Sequence, residues 1–76
     1  MSTESISIHT TYIPLGQFLK LAGVIDTGGM VKPFLADYDV FVNDEQDQRR
    51  GRKLYPGDQI SIPDIGVFQV VKEENA

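Results

Sequence analysis

PLGQFLKLAGVIDTGGMVKPFLADY, residues 14–38, is the stretch on which the fold turns. Leu15, Phe18, Leu19 and Ala22 recur at i, i+3, i+4 and i+7, which draws one apolar stripe along a helix. Pro14 is tolerated in the first turn of such a helix, and Gly23 suits its end. Lys20 falls off the stripe and is expected in solvent. After Val24, Ile25 and Asp26, Thr27 is a candidate N-cap, and Val31, Phe34, Leu35 and Tyr38 repeat the helical spacing. Pro33 breaks that second pattern, because a proline inside a helix removes a backbone hydrogen bond and costs about 3 kcal/mol. The segment therefore predicts a bend or a late helix start, held by packing against the first helix.

Both flanks read as strands. SISIHT (5–10) alternates Ile6 and Ile8 with polar residues, as a half-buried strand does. VFVN (40–43) sets Val40 and Val42 on one side and Phe41 on the other. A polar loop, DEQDQRRGRK (44–53), follows. LYPGDQISIP then gives a turn at Pro56-Gly57-Asp58 and a strand bearing Ile60 and Ile62. DIG (64–66) is a turn that brings VFQVV (67–71) back as a hairpin. KEENA (72–76) reads as a frayed, flexible tail. The order strand, two helices, three strands predicts one α+β domain over residues 1–76.

The chain has 76 residues, no cysteine and a formal net charge of −4. Folding at this size buries only about 60% of the surface that the unfolded chain exposes, so the core is small. Disulfides, thiolate zinc sites and thiol nucleophiles are excluded. The first residues lack a signal-peptide pattern, and no apolar run approaches the ~20 residues that span a bilayer. The expectation is a soluble, cytosolic protein without a membrane role. Net acidity argues mildly against a polyanionic partner, but exposed charges are screened beyond about 8 Å, so a local cluster acts for itself.

One such cluster exists. Four of the seven cations, Arg49, Arg50, Arg52 and Lys53, lie in RRGRK (49–53). Guanidinium groups match phosphate oxygens bidentately and stack on bases, and Gly51 permits close backbone approach. The plainer alternative is a solvated loop paired with Asp44, Glu45 and Asp47, each exposed pair contributing about 0–1 kcal/mol. A second candidate is Thr27-Gly28-Gly29, where a helix opening presents unpaired N–H groups and Lys32 adds a charge one turn on. Its alternative is an ordinary cap in a tight turn. No phosphate-loop, calcium-loop or zinc-ligand pattern is present, so no cofactor or metal is expected. His9 is the single histidine and has no nucleophile arranged around it, so no catalytic residue is assigned.

Together these pieces resemble the S-four domain, a small RNA-binding module named after a ribosomal protein. Its pattern is a leucine, a second leucine four residues on, a glycine, Ser-Arg opening the second helix, a Val-x-Val-Asn-Gly strand and a Gly-Asp turn. Leu15, Leu19, Gly23, Thr27, Val40, Val42, Asn43, Gly57 and Asp58 follow that order, through Asn43 at the family's spacing, over residues 13–62. LGQFLKLAGVIDTGGMVK and VNDEQDQRRGRKLYPGDQI are similar to one subgroup, the YaaA-type proteins. The resemblance implies two packed helices followed by a small antiparallel sheet, with an L-shaped RNA-binding surface formed by the helices and the strand after them. Structured RNA, ribosomal RNA above all, is the implied ligand, with ribosomal or assembly proteins as possible company.

The departures are informative. Pro14 stands where the family commonly has arginine, Gly16 where it has an acid, and Gly28 where Ser-Arg has its arginine. Tyr38 and Asp44 replace glycines. Two common sources of positive charge are thus vacant, and the expectation is that Lys20, Lys32 and the RRGRK loop take over. The expected RNA contacts are Lys20, Thr27, Gly28, Lys32, Asn43, Arg49, Arg50, Arg52 and Lys53. No exposed aromatic platform for single strands is evident. The main rival is a protein-interaction module whose basic loop meets an acidic partner. A sulfur carrier is disfavoured by the absence of a terminal Gly-Gly.

Overall fold

Helical periodicity and strand alternation both find their partners in the computed structural model of the protein, which describes residues 3–73. Strand β1 (Thr3–Ile8) is followed by a two-residue strand β2 (Ile13–Pro14) and helix α1 (Leu15–Leu21). A 3₁₀ turn at Gly28–Met30 leads into helix α2 (Val31–Asp37). Strands β3 (Phe41–Val42), β4 (Glu45–Gln46), β5 (Lys53–Leu54), β6 (Gln59–Ile62) and β7 (Gly66–Lys72) complete the chain. The large sheet has the order β1-β7-β6-β3-β4, and β2 pairs with β5 in a separate ribbon.

The sheet is mixed. β6 and β7 form the expected antiparallel hairpin, with Ile60 opposite Phe68. β1 instead runs parallel to β7, from Thr3 against Val67 to Ile8 against Lys72. Parallel neighbours need a long crossover, and here the helices lie within it. The alternation then decides the faces: Ile6, Ile8, Val42, Ile60, Ile62, Phe68 and Val70 turn inward under the helices. Leu15, Phe18 and Leu19 of α1 and Val31 and Leu35 of α2 meet them, and the Phe18 and Phe68 rings cross edge to face at 6.2 Å. Phe18 is wholly buried, and a burial of that size contributes about 1.5–3 kcal/mol by transfer alone.

Helix α1 ends as its sequence predicts. Gly23 takes φ 79°, and the N–H groups of Gly23 and Val24 donate back to the carbonyls of Lys20 and Leu19, a Schellman stop. The second helix starts late, which resolves the proline. Pro33 is the third residue of α2, inside the first turn, where its missing N–H deprives no intrahelical carbonyl.

Three expectations need correction. Thr27 adopts the extended backbone of a capping residue but makes no side-chain cap bond, and it precedes the 3₁₀ turn rather than α2 itself. Segment 44–53 is not a free loop. Asn43 and Asp44, at φ 52° and 71°, turn β3 back into β4, and Lys53–Leu54 pairs with Ile13–Pro14. Order also runs further toward the C-terminus than a tail from residue 72 allows: Lys72 closes β7, and the Glu73 N–H donates to the Ile8 carbonyl at 2.8 Å. Residues 74–76 of that tail lie outside the described residues.

Candidate nucleic-acid interface

The basic segment is welded to the helices by its backbone. Pro14 stands at the head of α1 and no side chain caps that helix. The N–H groups of Leu15 and Gly16 donate instead to the carbonyls of Arg52 and Arg50, at 2.8 and 2.9 Å. These bonds satisfy helix-start donors that would otherwise have no partner. On the other side, the Gln48 side-chain amide donates to the Leu35 carbonyl of α2 at 3.1 Å. Gly16 makes the junction possible. A Cβ there would lie 3.1 Å from Val31 Cγ1 and 3.5 Å from Arg50 Cβ, so α1, α2 and the turn close on a missing side chain.

Asp47 divides the cluster in two. Its side chain is almost entirely buried, and its carboxylate collects the donors around it. Oδ1 accepts from the Arg49 backbone N–H at 2.9 Å and from Arg49 Nε at 3.1 Å. Oδ2 accepts from Arg49 Nη2 at 2.8 Å and from Arg52 Nη1 at 2.7 Å. The Arg49 guanidinium, joined by Arg52, holds this carboxyl well below the usual carboxylate range despite the opposing effect of burial. The same carboxylate raises the pKa of both arginines, and Arg52 also reaches Glu45 at 3.5 Å. Arg52 N–H to Arg49 carbonyl at 3.0 Å closes the turn. Arg49 and Arg52 are therefore structural cations whose charge is balanced by Asp47 and Glu45.

Arg50 and Lys53 stand outside this carboxylate network. No ion pair among the described residues involves Arg50, Lys53, Lys20 or Lys32. Arg50 stands between two grooves. One, of about 340 Å³, is lined by Pro14, Gly16, Gln17, Lys20, Gly28, Val31, Arg50 and Gly51. The other, of about 420 Å³, is lined by Lys32, Leu35, Ala36, Gln48 and Arg50. Three unbalanced cations, one from each helix and one from the turn, thus border two grooves that share Arg50.

The sequence matches the S4 domain family over residues 6–71. The chain belongs to that family. It is also 64% identical over 66 residues, which is 87% of this chain and 93% of the relative, to the Bacillus subtilis (strain 168) protein named "Probable ribosome maturation protein RlbA". No solved structure gives a significant match.

Within this S4 domain three of the five sequence departures, Pro14, Gly16 and Gly28, fall in one groove, whereas Tyr38 and Asp44 lie elsewhere. Pro14 and Gly28, the two positions where the resemblance implied missing arginines, line the same groove, and Arg50 and Lys20 line it with them. Gly16, which replaces an acid, is the point of contact that lets the turn reach there. The remaining expected contacts differ in character. Asn43 has both ends of its amide engaged: Nδ2 donates to Asp58 Oδ1 at 3.0 Å, and Oδ1 accepts from the Gln59 N–H at 2.9 Å. It pins the β3–β4 turn to β6 and has little left to offer a ligand. Thr27 and Gly28 are exposed at the start of the 3₁₀ turn, and Gly28 shares its groove with Lys20 and Arg50, so positive character there comes from side chains rather than from an extended helix dipole.

Sequence reasoning missed two functional side chains of the turn's support. Asp47 is the buried carboxylate among three neighbouring acids, and Gln48 is a tether to α2. Among the described residues no group of three His, Cys, Asp or Glu side chains could hold a metal ion, and no helix is long and apolar enough to cross a membrane. His9 lies exposed with Nδ1 2.6 Å from a Glu73 carboxylate oxygen.

Proposed function

We propose that this S4 domain is a non-catalytic RNA-binding module that grips structured RNA, ribosomal RNA in particular, by its phosphate backbone along the two grooves. The observation that carries this reading is the position of Arg50. It is unbalanced by any described carboxylate, shared by both grooves, and its backbone is fixed by the Gly16 N–H of α1, which donates to the Arg50 carbonyl. A guanidinium in that place supplies paired donors for phosphate oxygens, with Lys20 and Lys32 as flanking point charges. Family membership and the ribosome-maturation name of the Bacillus subtilis relative support RNA of the ribosome as the ligand.

The mechanism is positional. Asp47 neutralises the arginines that shape the turn, so repulsion within RRGRK is relieved at Arg49 and Arg52 while Arg50 and Lys53 keep their charge. The chain's overall acidity discourages attachment of polyanions elsewhere. Affinity then comes from counterion release at a few phosphates, and it falls with salt. Crosslinking the protein to RNA in cells and sequencing the attached fragments is the direct test. Recovery of a defined ribosomal segment is expected, and it should be lost when Lys20, Lys32 and Arg50 are together changed to Gln. Background-level RNA from the wild-type protein would sink the reading in favour of an acidic protein partner for the turn.

A further inference from the structure

We propose that Tyr55, flanked by Tyr12 and Lys53, is a stacking site for an unpaired base of the bound RNA, an inference that rests on the RNA-binding reading above. Tyr12 and Tyr55 are 39% and 45% exposed, although each is large enough to have been useful in a small core. Their ring centroids lie 5.9 Å apart at an interplanar angle of 47°. The pairing of β2 with β5 explains the meeting: Ile13 sits opposite Leu54, and the two tyrosines flank that pair. Leu54 is wholly buried and Ile13 packs on the core, so the platform stands on a fixed base. Tyr55 is held from behind as well. Its N–H donates to Asp58 Oδ2 at 2.7 Å, and the Asp58 N–H returns to the Tyr55 carbonyl at 2.9 Å.

Charge makes RNA the fitting occupant. Lys53 Nζ stands 5.1 Å from the Tyr12 ring centroid and has no carboxylate partner among the described residues. Shared residues also link this surface to the proposed grooves. Gly51 lines the groove of Lys20 and Arg50, and it lines a second one of about 440 Å³ with Arg49, Arg52 and Lys53. A strand leaving the helical grooves over Gly51 passes Lys53 and arrives at the tyrosines. Because the two rings are tilted, a base lies flat on one of them. Among the described residues no cation covers Tyr55, so Tyr55 is the platform, and Lys53 is placed to meet the adjoining phosphate. Every base has a π face, so such a site accepts any unpaired nucleotide.

Two RNA probes test this: a blunt-ended hairpin, and the same hairpin with a short unpaired oligoadenylate extension. The wild-type protein is expected to bind the extended RNA about tenfold more tightly, the order expected for a single stacked base. Tyr55→Phe should keep that gain, and Tyr55→Ala should lose it while binding the blunt hairpin as the wild type does. Ring-proton shifts of Tyr55 in the wild-type protein, on adding the extended RNA but not the blunt one, give a readout independent of any variant's folding. Equal binding of both RNAs by the wild type, or a gain that survives Tyr55→Ala, would overturn the stacking site alone. Binding of neither RNA would overturn it together with the RNA reading. Binding of the extended RNA alone would uphold the stacking site and remove the grooves as the main grip. An unmoved Tyr55 ring, with a protein ligand captured through Tyr12 and Tyr55 instead, would make this surface a protein-docking site.

Discussion

The β6–β7 hairpin and the turn at residues 47–54 are held by opposite means. The hairpin buries Ile60, Ile62, Phe68 and Val70 beneath the helices, and its polar residues face away from them. Its order follows from alternation alone. The turn keeps one apolar side chain inside, Leu54, and is otherwise fixed by a buried carboxylate and by carbonyls that cap a helix. Apolar burial is non-directional and tolerates small shifts. Hydrogen bonds to one carboxylate are directional, and together with the Gly16 N–H bond to the Arg50 carbonyl they fix the backbone that carries Arg50. The molecule thus derives its stability mainly from the first region and its surface chemistry from the second.

That division can be broken from either side, and the largest effect belongs to the apolar side. Phe18→Ala should cost about 3–5 kcal/mol, measured by urea unfolding. A domain of this length has between about 4 and 11 kcal/mol in total, so the variant should lose from about a quarter of its stability to all of it. A loss below about 1 kcal/mol would mean that the core does not carry the fold. Asp47→Asn is the matching cut on the polar side and should cost about 1–3 kcal/mol, because it weakens several charge-assisted bonds without opening a cavity. Its pH dependence has a definite sign. The folded-state pKa of Asp47 lies below the unfolded value, so its contribution is complete above the ordinary carboxylate pKa of about 3.9. The contribution is lost as pH falls from there through the folded value. The stability gap between wild type and Asp47→Asn should therefore be flat from about pH 5 to 8 and close on further acidification. A gap that is flat to the lowest accessible pH would show that Asp47 titrates alike in both states.

The two regions also differ in how far the sequence discloses them. Period-3.6 and period-2 patterns identify Phe18, Leu19, Ile60 and Ile62 as core, because burial depends on which face a residue occupies and the face follows from local spacing. A bend or a late start of α2 was legible from Pro33 for the same local reason, and the structure takes the late start. The cation cluster was legible as composition, yet its partition was not. Asp44, Glu45 and Asp47 look equivalent in a string, and what singles out Asp47 is the register of the β3–β4 hairpin, in which its N–H donates to the Val40 carbonyl at 2.9 Å. Tyr12 and Tyr55 are 43 positions apart in the chain and meet only through the β2–β5 ribbon, so no local pattern announces them. Parallel pairing of β1 with β7 was hidden likewise, since alternation gives a strand its face and not its neighbour.

The smallest effects are the sharpest, because they separate cations that composition treats as one. Arg49 and Arg52, with Asp47 and Glu45, form a group of zero net charge, so the turn offers RNA two unbalanced cations rather than four. Each phosphate neutralised contributes about 0.7–0.9 to the slope of log affinity against log salt. Changing Arg49, Arg50, Arg52 and Lys53 together to Gln should accordingly flatten that slope by about 1.4–1.8 rather than about twice as much. Single variants then apportion it. Arg50→Gln should remove about 0.7–0.9 and leave thermal stability unchanged. Arg49→Gln should leave the slope almost untouched, because the carboxylate it releases continues to offset Arg52, and should instead lower the melting temperature. Equal slopes lost by Arg49→Gln and Arg50→Gln would mean that RNA draws Arg49 away from Asp47. The turn would then be remade on binding rather than set in advance.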